Sequence, residues 1–231
     1  MRAFAVRLAV DTPVSLRHLL HLDALLGNVA ARLGRAHDDL PLERSEGLWH
    51  ASAALMETTV FGVAEEACKR VAALRRDSIP AGLLDGLPKA ERSIDAMSPH
   101  RPRLNEYPSL RGATALWFSG RGEPGAVLDL LSEVTGLGAM AGTGHGRVTG
   151  MELVETDDAP LAGIALSDGG PARAVPAARW LALGFAKPDR ALVAAQRWYG
   201  PYWERSSDLC LSPMQTDLTG SQSEIRKLVG A

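Results

Sequence analysis

From Ala3 to Val10 hydrophobic and small or polar residues alternate: Phe4, Val6, Leu8 and Val10 fall on one side of an extended chain, Ala5, Arg7 and Ala9 on the other. That period of two predicts a strand, and Pro13, which lacks an N–H for further pairing, closes it. The period then lengthens. In "HLDALLGNVAARLG", Leu22, Leu25, Leu26, Val29 and Leu33 recur at helical spacing, Asp23 falls in the first turn and Gly34 follows the last, which predicts an amphipathic helix. After the turn-rich "AHDDLPLERSEG", the segment "LWHASAALME" is apolar on both faces, the pattern of a buried strand, although its alanines also permit a helix.

Between Phe61 and Arg111 a helical pattern, "AEEACKRVAALRR", gives way to the proline-punctuated "IPAGLLDGLPKAERSIDAMSPHRPRLNEYPSL". Nine Lys or Arg oppose seven acids in this span, a local balance of +2, and it reads as an insertion rather than a core layer. Regular patterning returns with "ATALWFSG", a doubly apolar strand, and "EPGAVLDLLSEVTG", where Val127, Leu130, Leu131 and Val134 form a helical stripe with Pro124 near its start and Gly136 at its end. The glycine-rich "GLGAMAGTGHG" follows, and then "RVTGMELVET" as a strand. Without the insertion the order is strand, helix, strand, strand, helix, strand, the βαββαβ succession of a ferredoxin-like α+β fold. The expected organisation is a ferredoxin-like domain over 1–156 with a thumb-like insertion at 61–111, and a smaller β-containing C-terminal region over 157–231 packed on it. In that tail "LAGIALSDGGPARAVPAARWLALGFA" supplies one or two strands, "DRALVAAQRW" reads as a weak helix, and "YGPYWERSSDLCLSPM" is aromatic and irregular.

Composition narrows the function classes. With 231 residues and 46% hydrophobic content the chain can bury a sizeable core, and no apolar run approaches the length of a membrane span. Its start, "MRAFAVRLAVDTPV", carries an arginine inside the apolar stretch and does not read as a secretory leader, so a cytoplasmic location is expected. Cys68 and Cys210 are the two cysteines, too far apart in sequence for a CxxC redox or metal pair and too few for a disulfide framework. A formal net charge of −2 gives no general pull toward nucleic acid, so a polyanion would have to be held by a local patch or inside a larger assembly.

The glycine loop is the candidate patch. Five glycines, 136, 138, 142, 144 and 146, fall within eleven residues around His145, with Arg147 following. Gly136, Gly138 and Ala141 satisfy G-x-G-x-x-A literally, but that dinucleotide fingerprint leaves a strand and opens a helix, so that a pyrophosphate meets the helix N-terminus. Here a helix precedes the glycines and a strand follows. No G-x-x-x-x-G-K-[ST] occurs either. A glycine loop in this place can still offer backbone N–H groups to a phosphodiester that approaches without meeting a Cβ, with Arg147 supplying charge.

These residues resemble the RAMP superfamily of CRISPR-associated proteins, marked by a glycine-rich loop just before the last strand of a ferredoxin-like domain. The ending "GHGRV" is similar to that family's glycine-aromatic-glycine-arginine-valine close, with His145 where an aromatic is common. Taken in order, "HLDALLGNVAARLG", "LPLERSEGLWHASAALME", "WFSGRGEPGAVLDLLSEVTGLG", "ARAVPAARW" and "GPYWERSSDLCLSP" resemble the Cas-five-type subunit of type IV CRISPR effector complexes, over Thr12 to Pro213. The resemblance implies a non-catalytic subunit of an antiviral ribonucleoprotein. It would cap the 5′ handle of the crRNA, contact the repeated backbone subunit and the large subunit, and help position target DNA near the protospacer-adjacent motif. Implied RNA contacts are Gly136, Gly138, Gly142, Gly144, His145, Gly146 and Arg147 in the loop, and Lys69, Arg70, Arg75, Arg76, Arg101 and Arg103 in the thumb. No cofactor, metal or membrane is implied.

Some relatives cleave precursor crRNA, which needs a positioned acid and base. The histidines at 18, 21, 37, 50, 100 and 145 show no catalytic spacing; His145 and His21 are the best placed for such chemistry, and His50, in an apolar segment, reads as a core histidine. A metal-independent endoribonuclease is therefore the alternative expectation. There is no HExxH, no Cys/His cluster and no G-x-S-x-G elbow. Trp198, Tyr199, Tyr202 and Trp203 fit either base stacking or packing, and the RNP1 pattern is absent.

Overall fold

The computed structural model of the chain describes residues 1–16, 18–58, 69–72, 103–106, 112–156, 162–188, 191–200, 202, 207–214 and 217–219. In chain order these form β1 (Arg2–Val10), α1 (Leu22–Arg32), β2 (Arg44–Ser45), β3 (Leu48–Trp49), β4 (Leu55–Thr58), β5 (Lys69–Ala72), β6 (Arg103–Glu106), β7 (Ala113–Gly122), α2 (Pro124–Leu131), β8 (Val148–Glu155), β9 (Val175–Pro176), α3 (Ala177–Ala182), β10 (Leu192–Gln196), β11 (Asp208–Ser212) and β12 (Asp217–Thr219). The fold is mixed α+β with mainly antiparallel pairing and few helices among the described residues. Contacts divide the chain into two units, Met1–Ala64 with Leu110–Ala231, and Glu65–Ser109.

In the first unit one sheet runs β12-β4-β7-β1-β8. β1 is antiparallel to β7, with Val6 opposite Phe118 and Leu8 opposite Leu116, and antiparallel to β8 on its other side. β4 is antiparallel to β7, and β12 adds a parallel edge beside β4. It follows that β4 lies parallel to β1 across β7, and β8 parallel to β7 across β1. Chain reversal of that kind needs a crossover, and α1 and α2 supply the two. Both helices cover one face. Phe4, Val6, Leu8, Leu116 and Phe118, all on that face by strand alternation, join Leu22, Leu26, Val29, Val127 and Leu130 in one buried cluster. Each such side chain contributes roughly 1.5–3 kcal/mol of hydrophobic burial.

The opposite face is only partly apolar. Ala5, Leu55 and Trp117 are buried there, beside a polar group in which Glu57 accepts two hydrogen bonds from Arg7 at 3.1 Å and one from the Trp117 Nε1–H at 2.8 Å. Burial pushes the Glu57 carboxyl up, but the bonds from Arg7, Trp117 and Thr114 outweigh it and hold the group below its usual range. This face is therefore a charge-neutralised surface rather than a row of free cations.

The tail departs from its sequence pattern in two places: "YGPYWERSSDLCLSPM", which reads as irregular, contains the strand Asp208–Ser212, β11, and the second departure is β10. "DRALVAAQRW" was expected as a weak helix, yet Leu192–Gln196 is a strand, β10, paired antiparallel with β11 in the sheet β10-β11-β9. Alanine's helix preference is a small per-residue bias, and pairing with a strand that already buries Cys210 and Ser212 overrides it. The short helix is instead α3, which begins after Pro176 and buries Trp180, whose indole N–H donates to the Ala186 carbonyl at 2.7 Å.

Of the insertion expected at 61–111, the described residues are β5 and β6, an antiparallel ladder that sets Lys69 opposite Glu106, Arg70 opposite Asn105 and Ala72 opposite Arg103. Among the described residues no helix is long and apolar enough to cross a membrane.

Candidate functional site

The glycine loop joins α2 to β8 and is stitched to the segment that follows β1. The Gly146 N–H donates to the Pro13 carbonyl at 2.9 Å, the Ala139 N–H to the Ser15 carbonyl at 2.8 Å, and the Arg147 N–H to the Thr12 hydroxyl at 2.8 Å. Within the loop, the Leu137 N–H donates to Gly146 and the Val148 N–H to Thr135, while Ala141–Thr143 makes one 3-10 turn. These close approaches explain two glycines sterically. A Cβ on Gly146 would lie 2.2 Å from the Leu137 oxygen, and one on Gly138 would lie 2.3 Å from the Ser15 oxygen, and both residues have positive φ.

The tip of the loop is different. A Cβ on Gly142 or Gly144 meets nothing within 4 Å; Gly144 needs its φ of +87°, whereas Gly142 is not in the left-handed region at all. Neither packing nor backbone geometry among the described residues demands a glycine at 142. So the loop has a structural base at Gly136, Gly138 and Gly146 and an open tip at Gly142 and Gly144. His145 sits between them, its backbone N–H on the Met140 carbonyl and its Nδ1 3.3 Å from the Thr143 hydroxyl.

Arg147 does not project alone. Its guanidinium forks onto the Asp11 carboxylate, with Nε 2.9 Å from Oδ1 and Nη2 on Oδ2. The paired arginine draws the Asp11 carboxyl below its usual range, and the carboxylate raises Arg147 in return. Both groups are at the surface, so salt and any competing anion reach them. Of the thumb residues, Lys69, Arg70 and Arg103 lie on the β5–β6 ladder, in the other unit, and Arg75, Arg76 and Arg101 lie outside the described residues.

A second constellation was not anticipated from the sequence. Arg173 is wholly buried and donates to four acceptors: the Trp49 carbonyl at 2.7 Å, the Trp198 carbonyl at 2.7 Å, the Tyr202 hydroxyl at 2.9 Å and the Asp23 Oδ2 at 3.2 Å. The Tyr202 hydroxyl donates to the same Asp23 oxygen at 2.9 Å, and its ring stacks on His21 at 5.3 Å. His21 in turn accepts the Ala174 N–H on Nε2 at 3.3 Å. Burial lowers the Arg173 pKa, but Asp23 and Tyr202 more than restore it and keep the guanidinium charged. Burial, then the Arg173 charge, depress His21 well below the ordinary imidazole value, so it is neutral. The node ties the start of α1, the β3 strand, the chain entering β9 and the aromatic tail into one group. Four of the five segments that carry the family resemblance meet at it.

His50 has a structural setting. His50 is buried, with Nε2 2.8 Å from the Ser45 hydroxyl and Nδ1 3.3 Å from the Ala162 carbonyl. Both ring nitrogens are engaged, which fits a core histidine better than a base awaiting a substrate. Of the tail aromatics, Trp198 donates to Asp208 at 2.6 Å and Tyr202 belongs to the buried node, whereas Tyr199 is exposed with the Arg44 guanidinium 5.7 Å from its ring. Among the described residues no group of three His, Cys, Asp or Glu side chains is disposed to hold a metal. No protein-family model matches the chain, and no curated protein matches it in sequence.

Proposed function

We propose that the chain is a non-catalytic, crRNA-binding subunit of a type IV CRISPR ribonucleoprotein, a Cas-five-type RAMP protein with a ferredoxin-like domain. It caps the crRNA 5′ handle, contacts the repeated backbone subunit and the large subunit, and helps position target DNA beside the protospacer-adjacent motif. The observation that carries this reading is the glycine loop between the last helix and the last strand of the two crossovers, fixed at its base and open at its tip. Support also comes from the β4-β7-β1-β8 order, which is that of a ferredoxin-like sheet, and from the convergence of the resembling segments on Arg173. At the tip a phosphodiester meets no Cβ at Gly142 or Gly144, and Arg147 is near enough in sequence and exposed enough to exchange Asp11 for phosphate. Such contacts hold the backbone of an RNA without reading its bases.

The test is co-expression with the genes that flank this one, followed by purification and sequencing of bound RNA. The expected result is a repeat-derived RNA of defined 5′ end that survives purification and is lost on Gly142→Asp, which sets a carboxylate at the open tip. A complex that assembles without RNA overturns the reading. So does metal-independent cutting of repeat RNA that disappears with His145→Ala, because that result makes the chain an endoribonuclease.

A further inference from the structure

Beside the buried node lies a cleft of about 640 Å³ that the glycine loop does not explain. One wall is the extended His18–His21 segment with Tyr202; the facing wall is the Ala194–Gln196 stretch of β10, continued by Arg197 and Ser207. Its volume falls in the range of small-molecule sites, roughly 300–1,000 Å³. The lining combines stacked rings, His21 on Tyr202, with an exposed arginine, an exposed histidine at 18 and the Gln196 amide. Among the described lining residues there is no carboxylate. β10 is the outer strand of its sheet, so no described strand pairs with its other edge.

His21 adds an independent observation. It is 2% exposed, and with a neutral ring whose Nε2 accepts the Ala174 N–H, the proton must sit on Nδ1. Among the described residues that Nδ1–H has no hydrogen-bond partner. A buried donor left unmatched costs about 1–3 kcal/mol, a cost that structures keep where a ligand or water relieves it. His21 also lines the cleft, so its side-chain signals report occupancy.

We propose that this cleft is a subsite for one nucleotide, its phosphate toward Arg197 and His18 and its base against the His21–Tyr202 wall, with Gln196 at the base edge. An anion is called for by the exposed Arg197, and a planar group by the Tyr202 ring. The reading of the chain as an RNA-binding subunit supplies only the polymer to which that nucleotide belongs. The segment from Asp11 to His21 carries both sites, since its beginning holds the glycine loop and its end walls the cleft.

The experiment titrates the whole chain with the four ribonucleoside 5′-monophosphates, with inorganic phosphate and with a short uncharged extended peptide, following backbone amides and His21 ring signals by NMR. Nucleotides are expected to saturate shifts at Leu20, His21 and Ala194–Arg197 in the millimolar range or tighter. Ala195→Trp, at an exposed position that fills the cleft, should abolish the response and leave distant amides in place. Arg197→Ala should weaken binding about tenfold, as expected for one charge-assisted contact. No saturable shift, a response unchanged by Ala195→Trp, or a response reproduced in full by inorganic phosphate overturns the proposal. Shifts produced by the peptide and not by nucleotides assign the cleft to strand addition and overturn it as well. If repeat RNA binds while nucleotides miss the cleft, this inference fails and the proposed function stands. If nucleotides fill the cleft and no RNA binds, the proposed function fails and the subsite stands.

Discussion

Among the described residues two arginine–aspartate pairs connect distant parts of this chain, and they are chemically alike and physically opposite. Arg173 and Asp23 are 0% and 2% exposed; Arg147 and Asp11 are 65% and 36% exposed. The first pair is surrounded by further acceptors and donors from Trp49, Trp198 and Tyr202, so neither charge can leave without stranding several polar groups. The second is a fork on the surface that water, salt and other anions can reach. A fixed pair organises a fold, whereas an exchangeable pair is available to a ligand. On this comparison the Arg173–Asp23 pair is architecture, and the Arg147–Asp11 pair is the one that an anion can exchange.

The largest effect expected from breaking that contrast is at Arg173. Arg173→Met leaves Asp23 buried without its counter-charge, and loss of one partner of a buried pair costs about 3–5 kcal/mol. Chemical denaturation should register it as a lowered midpoint. Adding Asp23→Leu removes the stranded charge and should recover much of the loss, because replacing both members by apolar residues is often neutral or stabilising. If Arg173→Met is as stable as the parent, the node is not the anchor described here.

The same contrast bears on what the sequence reveals. Phe4, Val6 and Leu8 announced β1 by period, and the stripe from Leu22 to Leu33 announced α1, because core-facing positions leave a periodic trace in one segment. The glycine loop was legible for a similar reason, since its demand for glycine is local. Asp23 was not. In sequence it reads as an acid in the first helical turn, favourable to the helix dipole, and nothing nearby points to a partner 150 residues away. β10 reads as a helix because its alanines fit one and the strand that pairs with it lies farther along the sequence, past Pro201. What could have signalled the node is the lone Arg173 inside the apolar "ARAVP", where a charge has no business unless it is paired.

Within the loop, base and tip should separate on single substitutions. Gly146→Ala forces a Cβ toward the Leu137 oxygen at φ +62° and should cost about 1–3 kcal/mol. Gly142→Ala, in open space outside the left-handed region, should stay within about 0.5 kcal/mol. Thermal unfolding of the two variants measures the difference, and equal losses would mean that the tip is packed after all.

Acid should find the buried side of the molecule first. His21 and His50 are held neutral chiefly by burial, both below the ordinary imidazole value near 6.5. Below that pH the unfolded chain takes up protons that the folded one refuses, so stability is full above about pH 6.5 and falls as pH drops, by up to about 1.4 kcal/mol per pH unit for each group. The decline continues until each folded imidazole is protonated. Denaturation midpoints between pH 8 and 5 should show it, with the slope reduced in His50→Gln. Ring-proton titrations giving either histidine an ordinary midpoint in the folded state would sink the assignment.

The smallest change in the fold should accompany the clearest change in binding. Asp11→Asn removes the negative charge that occupies Arg147 and keeps a side chain of the same shape; at a surface pair this should leave the unfolding midpoint nearly where it was. Arg147 is then free for phosphate, so affinity for repeat RNA should rise severalfold at low salt, and the gain should shrink as salt increases. Arg147→Ala should do the reverse, lowering affinity and flattening the salt dependence by about one phosphate contact. Fluorescence anisotropy across a salt series separates these outcomes. If Asp11→Asn and Arg147→Ala alter affinity in the same direction, the pair acts by shaping the loop rather than by contesting the phosphate, and the surface pair belongs with the buried one.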